Sequence, residues 1–354
     1  MILVINPGST STKLALFEQD KEVFAQTLRH SPEELAPYAR IADQFAFRKN
    51  LVLESLQDAG FPLNQISIIM ARGGLIKPVK SGIYRVNRRM IEYLTDPSGV
   101  EHASNLGALI ANDIVKTIEG CMACIADPIV VDELQDLARI SGHPLFTRLS
   151  VFHPLNQKAV AREYAADCGK SYESLRLIVA HMGGGISVGA HREGLVVDVN
   201  NALSGDGPFS PERSGTLPAR QLAEICFSGK YSFDEVQKMI CGKGGYMAYL
   251  GTQDAGAIEK RALAGDEQAL HIRNAMGYQI AKEIGAMAAV LEGRVDAILL
   301  TGGIAYNKLF MEYITGFISF IAPVHIYAGE DEMLALAASA VRVLNGIEKP
   351  KEYL

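Results

Sequence analysis

Short apolar runs, each cut off by glycine or proline, organise this chain. Ile2 to Asn6 is apolar through Ile5 and is stopped by Pro7-Gly8, which predicts a buried strand. Residues 12–17 and 22–28 predict the next two strands of a meander. Ser31-Pro32-Glu33-Glu34 reads as a helix start, with Ser31 as N-cap and Pro32 in the first helical position. Residues 66–70 form another buried run that ends at Ala71-Arg72-Gly73-Gly74. Helical spacing follows near 87–94 and 105–118, and Ile125-Ala126-Asp127 closes a short strand.

The same programme then restarts. Leu175 to His181 is a strand stopped by Gly183-Gly184-Gly185, and residues 186–191 and 195–199 continue as a meander. Helices are predicted at about 217–228, 232–240, 254–263 and 267–292. Residues 297–300 make a strand stopped by Thr301-Gly302-Gly303, followed by a helix, a strand at 324–327 and a last helix over 331–345. Moving Val4-Ile5-Asn6-Pro7-Gly8 forward by 175 positions lays it over Val179-Ala180-His181-Met182-Gly183, and Thr12 over Ser187. The offset is about half the chain, as two duplicated halves would give; chance similarity of two strand–turn–strand units is the alternative. The reading is an α/β chain of two domains, residues 1–150 with 331–354, and residues 151–330.

Composition narrows the class. The chain has 354 residues, 48% hydrophobic and 21% charged, the balance of a soluble globular protein larger than one ordinary domain. A net charge of −6 argues against a nucleic-acid surface, so any anion site must gather its cations locally. Met1 to Ile5 carries no basic flank or cleavage site and reads as a strand, not a signal peptide. The most apolar helical stretch, 280–291, is too short to cross a bilayer and carries Lys282 and Glu283, so no membrane span is expected. Five scattered cysteines suit a reduced, cytoplasmic chain. Cys121-Met-Ala-Cys124 lacks a second pair, and small residues before a strand explain it better than zinc.

Candidate chemistry lies in the turns. Asn6, Gly8, Ser9, Thr10, Ser11, Thr12 and Lys13 gather a glycine, four hydroxyls and a lysine, which suits either an anion cradle or a solvated hairpin turn. It is not a Walker A loop, because the GxxxxGK[ST] order is absent and a strand follows. Gly183, Gly184 and Gly185 suit backbone wrapped around a phosphate or a sharp bend; His181 before them suits a ligand contact or a core histidine. Gly302 and Gly303 follow a buried strand and precede a helix, a place where nucleotides bind and also where helices pack tightly on strands. Arg72, Arg213 and His153 are basic groups beside loop glycines or a helix start. Asp127 and Glu332 suit either Mg²⁺ partners or, for Glu332, helix capping; Asp206 reads as a turn residue.

INPGSTSTKLALF, VFHP, VAHMGGGIS, ERSG and LTGGIAYN, in that order, resemble the signatures of the acetokinase family from Met1 to about Val341. The resemblance implies a duplicated actin-like ATPase fold, with two lobes around a central cleft. It implies ATP-dependent phosphorylation of a small carboxylate to an acyl phosphate by direct in-line transfer, with Mg²⁺, and a homodimer or higher homo-oligomer. By the same resemblance Asn6 to Lys13 lie near the transferring phosphoryl group, and Arg213 binds acyl substrate and phosphoryl. His153 stabilises the phosphoryl, Arg72 adds positive charge, and Asp127, Asn6 and Glu332 associate with the metal. His181, Gly183–Gly185, Gly302, Gly303 and Asn307 then correspond to nucleotide contacts. The chain departs from acetate-directed members: it has Ile-Ile-Met-Ala-Arg-Gly-Gly where they have H-R-x-x-H-G-G, so Arg72 stands at the second histidine's place. With Pro7 and Thr12, this favours butyrate or isobutyrate over acetate or propionate. A non-catalytic ATP-binding sensor, and a sugar kinase using Asp127 as base, are the rival readings.

Overall fold

The computed structural model describes residues 1–99 and 101–354. Its strands are β1 (Ile2–Pro7), β2 (Ser11–Glu18), β3 (Lys21–Arg29), β4 (Ile68–Arg72), β5 (Ile83–Arg85), β6 (Met122–Ala126), β7 (Arg176–Met182), β8 (Ile186–Arg192), β9 (Leu195–Val199), β10 (Ala297–Gly302), β11 (Val324–Ala328) and β12 (Lys351–Glu352). They form a seven-stranded sheet in the order β12-β5-β6-β4-β1-β2-β3 and a five-stranded sheet in the order β11-β10-β7-β8-β9.

The chain divides into two compact units, Met1–Val131 with Asp331–Leu354, and Asp132–Glu330. The first crossing falls at Val131/Asp132, earlier than residue 150. Residues 132–150 belong with the second unit because their polar groups are tied there: Lys158 Nζ lies 2.8 Å from Glu133, and Arg148 lies 2.9 Å from Asp198.

Each unit repeats one plan. In the first, β1 and β2 and then β2 and β3 pair antiparallel, while β4 joins β1, and β6 joins β4, in parallel. In the second, β7, β8 and β9 form the meander and β10 and β11 the parallel strands. This repetition is the duplicated α/β arrangement of the actin-like fold. β1 is buried at every position, as a central strand covered on both faces must be, which is why its sequence is a continuous apolar run instead of an alternating one. Leu3 and Ile5 join a core with Leu106, Ile110 and Ile114 of the helix Asn105–Val115, and the helix Glu332–Leu344 also contacts β1 and β4.

The pairing corrects one detail of the sequence repeat. Asn6 pairs with Lys13, whereas His181 pairs with Ser187, so Lys13 and not Thr12 corresponds to Ser187. The turn of the second copy is one residue shorter, which shifts the offset after it by one. No helix among the described residues is long and apolar enough to cross a membrane. Cys124 sits buried on β6, where desolvation pushes its thiol up to about 12, so it acts as a small apolar strand residue.

Candidate active site

In the first unit, parallel pairing brings several of the expected residues to one sheet edge. Ile5 is level with Ala71 and Arg72 with Ala126, so Asn6, Arg72 and Asp127 all end neighbouring strands. Asn6 Nδ2 donates to Glu332 Oε2 at 2.6 Å, and Arg72 Nη1 lies 3.2 Å from the same oxygen. Arg72 Nη1 is also 3.4 Å from Asn6 Oδ1. Glu332 does not cap its helix. Asp331 does, accepting from the Leu334 amide at 2.8 Å, which leaves the Glu332 carboxylate for Asn6 and Arg72. Asp127 holds a neighbouring turn: its Oδ1 accepts from Ser81 Oγ at 2.6 Å and from the Gly82 amide at 2.8 Å.

The turn from Gly8 to Ser11 is closed by a Gly8 amide bond to Ser11 O at 2.7 Å, and Ser9 and Thr10 are exposed. The residue that shapes it is Arg48, which sequence reasoning did not single out. Its guanidinium is 1% exposed and donates to the carbonyls of Gly8 (2.6 Å), Ser9 (2.9 Å) and Ser11 (3.1 Å), and to Thr12 Oγ1 (3.3 Å). Gln44 Oε1 takes two more of its hydrogens. Three carbonyls are thus drawn inward, and the exposed Ser9 and Thr10 form the outer side of the turn. Behind it Thr12 Oγ1 lies 2.9 Å from Nε2 of buried His30.

In the second unit, Gly183 closes on Gly185 O at 3.0 Å, and Ser210 Oγ donates to Gly184 O at 2.6 Å. A Cβ at Gly185 would overlap the Arg213 guanidinium, so the third glycine exists to admit that side chain. Arg213 donates from Nη1 to Ala202 O at 2.6 Å and lies 3.8 Å from Glu212, while its Nε is buried without an acceptor. Gly302 has φ +92° and a Cβ there would strike the Met182 backbone, so only glycine fits. His153, the residue before the helix Pro154–Asp167, stacks on His181 with ring centroids 4.3 Å apart and shares a 2.9 Å bond with Ser187 Oγ. His181 Nε2 lies 3.1 Å from Glu330.

A cavity of about 420 Å³ opens beside Gly303 and Asn307. Its wall includes Tyr306, Phe310, Lys260 and the Glu259–Arg273 pair, joined at 2.9 and 3.1 Å. Asn307 itself caps the helix Lys308–Ile318, accepting from the Phe310 amide at 3.1 Å. The sequence pointed to Gly303 and Asn307 but not to the ion pair, whose partners lie 14 positions apart on two helices.

Two Clostridium acetobutylicum proteins, Butyrate kinase 2 and Butyrate kinase 1, are 56% and 54% identical to this chain over 352 residues, 99% of the chain and 99% of each relative. The chain belongs to the acetokinase family. The family's model matches residues 144–318. Solved acetate kinases from Porphyromonas gingivalis (19% identical, TM-score 0.79, covering 97% of this chain and 99% of that one) and Entamoeba histolytica (14%, 0.75, 95% and 97%) share the fold. In this member of the acetokinase family, then, the glycine loops, the arginine turn and the strand-end acids occupy one repeated framework.

Proposed function

We propose that the chain transfers the γ-phosphoryl group of ATP to butyrate, giving butyryl phosphate and ADP, and accepts isobutyrate by the same route. The observation that carries this reading is the end-to-end identity with two relatives named butyrate kinase. A carboxylate is already ionised at neutral pH, so the reaction needs no general base. One carboxylate oxygen attacks the γ-phosphorus in line, the bond to the β–γ bridging oxygen breaks, and its electron pair leaves with ADP. The task is to bring one anion to another, which positioned cations accomplish.

Each unit carries its own set of candidate groups. In the first, Asn6, Gly8–Lys13 and Arg72 receive the phosphoryl and acyl groups. In the second, Arg213 and His153 meet the charge that builds on the transferring oxygens, and the unmet buried Nε of Arg213 supports that role. Gly183–Gly185, His181, Gly302, Gly303 and Asn307 hold the nucleotide, with its adenosine in the 420 Å³ cavity. Mg²⁺ would supply positive charge that offsets the negative charge of the phosphates. Asn6 Oδ1 and the Glu332 carboxylate would hold it, oxygen ligands of the kind a mostly hydrated Mg²⁺ takes; in the structure they meet Arg72 and the Asn6 amide nitrogen. Asp127 supports this edge through the turn at Ser81 and Gly82 and needs no role as a base. A cytoplasmic location, where ATP is plentiful, suits this reading. The exposed run Leu137, Ile140, Leu145, Phe146 and Leu149 supports a homodimer or higher oligomer, which sedimentation would register.

Initial rates of ADP formation with acetate, propionate, butyrate, isobutyrate and valerate, with hydroxamate trapping of acyl phosphate, test the proposal. A hydroxamate yield that peaks at four carbons is expected. A peak at acetate would move the acceptor. Acid-independent ADP formation, or none from protein that binds ATP, would overturn the kinase reading.

A further inference from the structure

Behind His153 lies a chain of buried polar groups that the reaction as described does not use. Tyr172 OH lies 2.7 Å from His191 Nδ1, and His191 Nε2 lies 3.0 Å from Gln157 Oε1. Gln157 Nε2 donates to Ser187 O at 3.1 Å and to Ser187 Oγ at 2.8 Å. Ser187 Oγ lies 2.9 Å from His153 Nδ1. His191, Gln157 and Ser187 have no measurable exposure.

The direction of the protons from Ser187 back to Tyr172 follows from one fixed point. Ser187 O is a carbonyl and only accepts, so the Gln157 amide must turn its NH₂ toward Ser187 and its oxygen toward His191. His191 must then carry its proton on Nε2. It is neutral, because burial, with the nearby Lys158 and Arg162 charges, holds it well below its ordinary value. Its Nδ1 therefore accepts, and Tyr172 donates. At the other end Ser187 Oγ accepts from Gln157 and still has its own proton to give, with His153 Nδ1 2.9 Å away. The space for this arrangement is built in: a Cβ at position 189 would overlap Gln157 Oε1, and the chain has Gly189 there.

We propose that Tyr172, His191, Gln157 and Ser187 form a directional hydrogen-bond relay that fixes His153 as the Nε2–H tautomer, so that it presents a donor, not a lone pair, to the transferring phosphoryl group. The four are positioning residues. The benefit to catalysis rests on the role proposed above for His153; the tautomer itself does not. A relay of this kind removes the choice between two tautomers of nearly equal energy, and orienting partners of a functional histidine are typically worth about 10–100-fold in activity.

Long-range ¹H–¹⁵N correlation on ¹⁵N-histidine-labelled full-length protein, with His153 assigned by its absence in His153→Asn, tests this directly. At pH 7.5 the expected pattern is an unprotonated Nδ1 and a protonated Nε2. Ser187→Ala and Gln157→Met should mix the two tautomers and lower kcat about 10–100-fold with KM for ATP unchanged. Ser187→Thr keeps the hydroxyl and should restore both. Wild-type protein with His153 protonated on Nδ1 overturns the proposal, and so does Ser187→Ala with an unaltered His153 spectrum. If Ser187→Ala alters the spectrum but not kcat, the relay stands and the phosphoryl-binding role of His153 falls. The wild-type spectrum decides the matter even if a variant fails to fold.

Discussion

Replacing Arg48 by methionine keeps the volume of a buried side chain and removes its hydrogen bonds. Arg48 donates to Gly8 O, Ser9 O, Ser11 O and Thr12 Oγ1, all in the turn proposed to receive phosphate. Hydrogen bonds from a charged donor contribute about 1.5–3 kcal/mol each, and Nη1 has two hydrogens for three of these acceptors, so the three hydrogens given to the turn are worth roughly 4.5–9 kcal/mol gross. Against this stands the cost of burying a guanidinium whose acceptors here are all neutral oxygens, several kcal/mol that the variant recovers. The net loss should be about 3–5 kcal/mol, the scale for breaking a buried polar network. The functional cost is separate. Carbonyls released from Arg48 turn outward, toward the anion, so kcat/KM for ATP should fall by about 10²-fold or more. Urea unfolding followed by circular dichroism measures the first quantity and coupled ADP assays the second. Arg48→Lys should fall between, because a point charge cannot span three carbonyls as the fork does. A loss below about 1 kcal/mol for Arg48→Met, with wild-type kcat/KM, would refute the reasoning.

Arg213→Ala should reduce kcat about 10²–10³-fold, the usual cost of one transition-state donor, and near wild-type turnover would remove Arg213 from the mechanism. Gly185→Ala puts a methyl group into the Arg213 guanidinium. It should approach the Arg213→Ala rate while the melting temperature moves little; unchanged kcat would show that the arginine can relocate. Glu283 makes a pH-dependent case, its carboxyl pushed up to about 7 by burial and by Asp206. The folded chain holds a proton there that the unfolded chain releases from about pH 4.5 upward, so this residue subtracts stability as pH rises through 4.5–7. Glu283→Gln should therefore raise stability at pH 8 by up to about 3 kcal/mol and change nothing at pH 4; equal melts at pH 8 would contradict it.

What the sequence revealed and what it hid have a common physical basis. Strand ends were legible because an apolar run that meets glycine or proline has few other conformations open to it, and the turns at Gly8, Gly183 and Gly302 follow such runs. Parallel pairing then does the gathering: once β1, β4 and β6 lie side by side, Asn6, Arg72 and Asp127 must share an edge. Arg48 escaped notice because it sits in FAFRKNLVLESLQD, where it reads as one more charge on a surface helix, and nothing local marks it as buried. Gln157 and His191 escaped for the same reason, being joined across 34 positions. One residue's difference in turn length also hid the true partner of Ser187, since register is a property of paired strands and not of either alone.

The misaligned pair shows how the two copies acquired different work. Lys13 and Ser187 occupy matching ladder positions opposite Asn6 and His181. In the first copy the position is exposed and carries a cation at the mouth of a hydroxyl-rich turn; in the second it is fully buried and carries a hydroxyl. A lysine buried at 187 would have to discard its charge or find a carboxylate, and Gln157 and His153 offer neither. Serine suits that position because a hydroxyl can accept from one neighbour and donate to the next, the two operations a relay requires. Exchanging the residues tests the point. Ser187→Lys should unfold the second unit or displace His153, and a folded, active Ser187→Lys protein would show that the copies differ there by drift and not by function.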